Sequence, residues 1–99
     1  MEESHRKVLQ KLRLKISRTI NPRKVTEVLF TRGILDENDR ESILAQTTTQ
    51  DKALHLLDLL SRSGPEAFEA FLDALCVCNC AFLVNIIRSE LTGRGKFFI

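Results

Sequence analysis

Three groups of side chains in this sequence have the types and spacing to do chemistry. The first is Cys76, Cys78 and Cys80, all within the run CVCNC. Thiolates can ligate metals, form disulfides or act as nucleophiles. An odd number at alternating positions does not make a disulfide framework. C-x-C-x-C with no His, Asp or Glu close by does not complete a zinc site. Buried or half-buried structural thiols are the expectation. The second group is the pair of histidines. A nucleophile needs a base beside it, but His5 lies near the start of the chain and His55 follows a Leu within a Leu-rich run. His55 is expected at the solvent edge of a helix. The third group is the carboxylate cluster of residues 36–41. Paired carboxylates can exchange protons with a substrate, yet these crowd the start of a helical segment, where a solvated acidic patch accounts for them. The four glycines are scattered and form no phosphate loop, and no H-E-x-x-H or EF-hand pattern occurs. No catalytic, metal or cofactor site is expected.

Across the whole chain, 43% hydrophobic and 28% charged residues describe a globular domain rather than a disordered segment, and 99 residues suffice for one domain. The net charge of +2 conceals a strong asymmetry. Residues 1–32 carry nine Lys/Arg against three Asp/Glu; residues 33–73 carry three against nine. Such a chain can bind a partner, or itself, by charge complementarity. No run approaches the roughly 18–20 apolar residues of a membrane span. The N-terminal MEESHRK is polar with no apolar signal core behind it. The expected compartment is the cytoplasm, with the nucleus open to it.

The spacing of apolar residues predicts helices throughout. Val8, Leu9, Leu12 and Ile16 make the stripe of a first helix over residues 4–19, with Leu14 facing outward and permitting a bend. Asn21-Pro22 is a capped start for a second helix that buries Val25, Val28 and Leu29 and ends at Gly33. Asp36 and Asp39 form a variant capping box for a third, which buries Ile43 and Leu44. Thr48 and Asp51 open a fourth, whose Ala53, Leu56, Leu57 and Leu60 place it centrally. Pro65 is expected in the first turn of a fifth, with Ala67, Phe68, Phe71, Leu72 and Leu75 inward. A sixth covers 81–91, with Phe82, Leu83, Ile86 and Ile87 inward and Gly93 as its stop. The expected fold is all-α, a six-helix antiparallel bundle over residues 1–92, followed by a tail at 93–99.

The run from Gly33 to Leu75 resembles the central part of caspase recruitment domains (CARDs), members of the death-fold superfamily with Greek-key topology. The likeness rests on Gly33-Ile34-Leu35, Asp39-Arg40-Glu41, Thr48 with Asp51-Lys52, Leu56-Leu57-Asp58-Leu59-Leu60, and Gly64-Pro65 leading to Ala67-Phe68 and Phe71. Within the family the chain is most similar, over residues 1–75, to the CARD of an adaptor that carries a death domain after it. The resemblance implies a non-catalytic module of apoptotic signalling. Its partner would be the CARD of an initiator caspase, caspase-2 foremost. The scaffold PIDD would be engaged only if a death domain follows, and weak self-association is also implied. A CARD-only decoy that blocks recruitment has the same sequence features and stays open.

The charge map supplies candidate docking residues. The basic face comprises Arg13, Lys15 and Arg18 with Lys52; Arg13 matches a position often used in the family's basic patch. The acidic face comprises Glu27, Asp36, Glu37, Asp39 and Glu41. In the family, such faces meet across the interface. A helical nucleic-acid binder is disfavoured, because no recognition helix or aromatic platform accompanies the basic segment and the acidic one would repel phosphate.

Overall fold

The computed structural model describes residues 1–92, in seven helices. These are α1 (Glu3–Lys11), α2 (Arg13–Thr19), α3 (Pro22–Thr31), α4 (Glu37–Leu44), α5 (Thr49–Ser61), α6 (Ala67–Val77) and α7 (Ala81–Thr92). The seventh arises because the expected first helix is interrupted at Leu12, where φ is −96° and ψ is 8°. The backbone N–H of Leu12 still bonds to the Val8 carbonyl, and that of Ile16 to the Leu12 carbonyl. The segment is therefore one bent rod. The bend lets its halves serve different neighbours: α1 packs on α7, and α2 packs on α5. Leu14 faces outward just past the bend, 54% exposed. Gly93 and the 93–99 tail of the expectation lie outside the described residues.

Local chemistry sets most boundaries. The Asn21 side chain accepts from the Lys24 N–H at the start of α3, ahead of Pro22. Gly33 ends α3 with φ at 78°; its N–H bonds to the Phe30 carbonyl, and the Ile34 N–H to the Leu29 carbonyl. That pair of bonds is a Schellman motif. Asp36 and Asp39 exchange side-chain and backbone hydrogen bonds of 2.8 and 3.2 Å, the reciprocal capping box. Thr48 accepts from the Asp51 N–H at the start of α5.

Two expectations need correction. Pro65 does not begin the fifth predicted helix. It occupies the second position of a turn closed by the Ala67 N–H and the Gly64 carbonyl, 3.1 Å apart. Pro presets φ for that position, and helix α6 begins only at Ala67. Phe82 does not face inward; it is 52% exposed, in the first turn of α7. Leu83, Val84 and Ile87 bury that helix instead.

The core gathers Ile16, Val25, Leu29, Ile43, Leu56, Leu60, Phe68, Phe71, Leu75, Leu83 and Ile87, all fully buried. Helices α3 and α5 are central: α3 packs on α4, α5 and α6, and α5 on α2, α3 and α4. Each large core side chain stabilises the fold by about 1.5–3 kcal/mol through burial. This apolar centre holds the surface helices, and their charges, in fixed relative positions.

Candidate docking surfaces

Two bonds define the geometry of α2 against α5. Arg13, at the start of α2, donates to Asp58 near the end of α5 at 2.6 Å. Gln50, at the start of α5, donates to Ser17 near the end of α2 at 3.3 Å. The helices therefore run antiparallel, with Arg13 and Ser17 on the side of α2 that meets α5, while helical spacing turns Lys15 and Arg18 toward the other side. Lys15 and Arg18 are exposed and make no ion pair among the described residues. Lys52 sits beside Thr19 and Ile20, at the far end of α2. Its ammonium donates to the Gln46 carbonyl at 2.8 Å, just beyond α4. One expected docking cation thus also satisfies an open backbone acceptor.

The acidic candidates occupy α3 and α4. Asp36, Glu37, Asp39 and Glu41 lie along the cap and first turns of α4, with Glu27 on α3 beside them. Arg40 stands in their midst. Its guanidinium makes a two-pronged contact with Glu27 at 2.8 and 2.7 Å and a third bond to Glu37 at 3.2 Å. It also lies 5.4 Å from the centre of the Phe30 ring. The Arg40 hydrogen bonds hold the Glu27 carboxyl below the usual value; desolvation opposes them, and the charges of Arg40 and Arg23 add to the lowering. Asp36 and Asp39 each commit an oxygen to the capping box. Glu41 is exposed and without an ion pair among the described residues. Two of the five carboxylates thus share one cation, and the edge stays negative.

Sequence reasoning missed three of these contacts. The spacing of Glu37 and Arg40 foretells their pair. Glu27–Arg40 and Arg13–Asp58 join separate helices, which no local pattern reveals. His55 is half-buried rather than simply at the edge, with Nε2 3.0 Å from the Ser42 hydroxyl. His5 stacks on buried Phe68, ring centres 3.9 Å apart.

The CVCNC run is a helix terminator. Asn79 takes φ of 63°, its N–H bonds to the Cys76 carbonyl, and the Cys80 N–H bonds to the Leu75 carbonyl at 2.7 Å. This is a second Schellman motif, with Asn replacing Gly. Cys80 is buried and Cys78 half-buried, as structural thiols should be, but Cys76 is exposed. Burial pushes the Cys78 thiol up, the neighbouring Cys80 adds to that, and Lys24 opposes it. Among the described residues no cluster of His, Cys, Asp or Glu is arranged to hold a metal ion. No described helix is long and apolar enough to cross a membrane.

The described residues thus form a helical bundle with a carboxylate cluster at the start of α4 and exposed cations on α2. Comparison with known proteins places it more closely. The family description "Caspase recruitment domain" matches residues 6–89, and the chain belongs to that family. Its all-helical bundle is accordingly the death fold, and it is a protein-interaction domain. It is similar to "Caspase-1" of Mus musculus, 29% identical over 72 residues, which cover 72% of this chain and 18% of that protein. It is also similar to "Cell death protein 3" of Caenorhabditis remanei, 31% identical over 75 residues, covering 76% of this chain and 15% of that protein. The chain thus spans less than a fifth of the length of these relatives.

Proposed function

We propose that this domain is a non-catalytic adaptor module of apoptotic signalling that recruits an initiator caspase, caspase-2 foremost, through CARD–CARD contact in the cytoplasm. The observation that supports the reading is the clustering of charge: exposed Lys15 and Arg18 on α2, and Asp36, Glu37, Asp39 and Glu41 at the start of α4, with Glu27 of α3 bound to Arg40 among them. The names of the two relatives, a caspase and a cell death protein, support the setting. The choice of caspase-2 rests on likeness to the adaptor RAIDD, carried by Leu12-Arg13-Leu14, Ala45-Gln46-Thr47-Thr48 and Phe71-Leu72-Asp73. If a death domain follows in the full protein, the scaffold PIDD is the partner at that end.

In this reading, one edge of the domain meets the opposite edge of the caspase CARD. Exposed ion pairs contribute about 0.2–1 kcal/mol each, so the contact is modest in affinity and weakened by salt. Several copies held together raise the effective concentration and make recruitment productive. Proximity then activates the caspase, while this domain makes and breaks no bonds.

The test is a titration of the caspase-2 CARD against the domain in low and high salt. Reversing Asp36, Glu37 and Glu41 to Lys, or Lys15 and Arg18 to Glu, is expected to weaken binding about tenfold or more in low salt for the edge that makes the contact. Unchanged binding in both variants sinks the reading. In cells the adaptor form raises caspase activation, whereas a CARD-only decoy lowers it while binding equally well.

A further inference from the structure

Beside the acidic edge, α3 and the end of α6 leave a trough between them. One part has a volume of about 390 Å³ and the adjoining part about 320 Å³, and Glu27, Val28 and Val77 wall both. Its apolar surface comes from half-buried Val28 and from Val77, which is 58% exposed at the last position of α6. Every other large aliphatic or aromatic side chain of α6 is buried. Solvating Val77 therefore gains the fold nothing.

Two cations, Arg23 and Lys24, stand exposed at the mouth of the trough. Neither makes an ion pair among the described residues. They lie in the first turn of α3, which carries no carboxylate. Cations there oppose the helix dipole and are locally unfavourable. Glu27, the one carboxylate on the wall, has both oxygens engaged by Arg40. Arg32 at the other end is neutralised by Asp73 at 3.0 Å. The trough is thus apolar along its length with exposed positive charge at one end, which Glu27 offsets only in part through its attraction to Arg23.

We propose that this trough, which meets the acidic edge only at Glu27, is a docking site of its own, and that its occupant is an acidic amphipathic helix of a partner protein. Aliphatic side chains of that helix pack on Val28 and Val77, and its carboxylates meet Arg23 and Lys24. A helix suits a channel between two helices, where side-chain ridges settle into grooves. The chain's own last seven residues have the wrong sign for it, since they contain Arg94 and Lys96 and no acidic side chain.

The experiment follows backbone amide shifts of the isotope-labelled domain during titration with a capped peptide of about four helical turns, built from Leu and Glu at helical spacing. A Leu/Lys peptide of the same pattern is the charge control. Both titrations use the Lys15→Glu/Arg18→Glu variant, which reverses the two exposed cations of the basic edge and so separates the outcome from the caspase reading. Saturable shifts are expected at Lys24, Val28, Val77 and Asn79 with the Glu peptide. The Lys peptide should bind about tenfold more weakly or worse. Adding Val77→Asp and Lys24→Glu should abolish the shifts while the domain stays folded, because both side chains are exposed and their effects on the helix dipoles have opposite signs. No saturable shift, shifts centred elsewhere, or equal binding of the two peptides overturns the proposal. Concentration-dependent shifts of the same residues without peptide also overturn it, because a second copy then occupies the trough.

Discussion

The two charged edges differ in how their charges are held. On the acidic edge, Arg40 ties Glu27 on α3 to Glu37 on α4, and Asp36 and Asp39 are fixed by reciprocal capping bonds. On the basic edge, Arg13 has one partner, Asp58, and Lys15 and Arg18 extend into solvent. Long cationic side chains with no partner keep their rotamer freedom and lose it only on binding. The acidic edge gives up part of its charge and gains a fixed shape. The basic edge keeps its charge and gives up definition. In a charge-steered complex the first property favours geometric selection, and the second favours fast encounter.

Removing Arg40 is the strongest way to break this contrast. Arg40→Met keeps a side chain over Phe30 but leaves Glu27 and Glu37 facing each other with no cation between them. The thermal midpoint is expected to fall by roughly 3–6 °C in low salt, and added salt should restore part of the loss. Arg13→Met, which removes a single exposed pair, should shift it by less than half as much. Equal shifts from the two variants, measured by calorimetry, would show that the acidic edge is no better organised than the basic one.

Asp58 gives a smaller effect with the opposite sign. Its carboxylate already occupies the Arg13 guanidinium, so a partner carboxylate must compete for it. Asp58→Asn keeps the shape and frees the cation. Affinity for a partner that uses the basic edge is expected to rise about two- to fivefold, the range of one exposed pair, chiefly through a faster association rate. The Arg13→Met background should cancel the gain. A partner bound only through the acidic edge should not respond, so this variant also reports which edge is in use.

The same contrast marks how far the sequence could be read. Caps are local, so Asn21, Gly33, the Asp36–Asp39 box and Thr48 all announced their helix ends. The apolar stripes named most of the core. What escaped depends on pairing between distant residues. Periodicity cannot tell that α1 and α2 pack on different helices, so the break at Leu12 appeared only as an option to bend. Phe82 fits the inward stripe of α7 by spacing, but its position in the first turn, at the rim of the bundle, leaves it half in solvent. Clusters of sign were legible along the chain. The ion pairs that set their strength were not, because Glu27–Arg40 and Arg13–Asp58 bridge helices.

Acid provides the finest test of the stitched edge. Arg40 holds Glu27 below the ordinary glutamate value of 4.5, so the folded state binds that proton less readily than the unfolded chain does. A carboxylate of this kind contributes stability that is fully present above its unfolded value and is lost as pH falls through the lowered folded value. Between pH values well above 4.5 and well below it, the wild-type domain should therefore lose more stability than Glu27→Gln, whose amide does not titrate. Denaturant midpoints measured for both across that window should converge as the medium becomes acidic. Parallel curves would mean that Arg40 and Glu27 meet with no net electrostatic gain. The acidic edge would then owe its shape to packing of α3 on α4 alone, and the difference between the two edges would reduce to geometry.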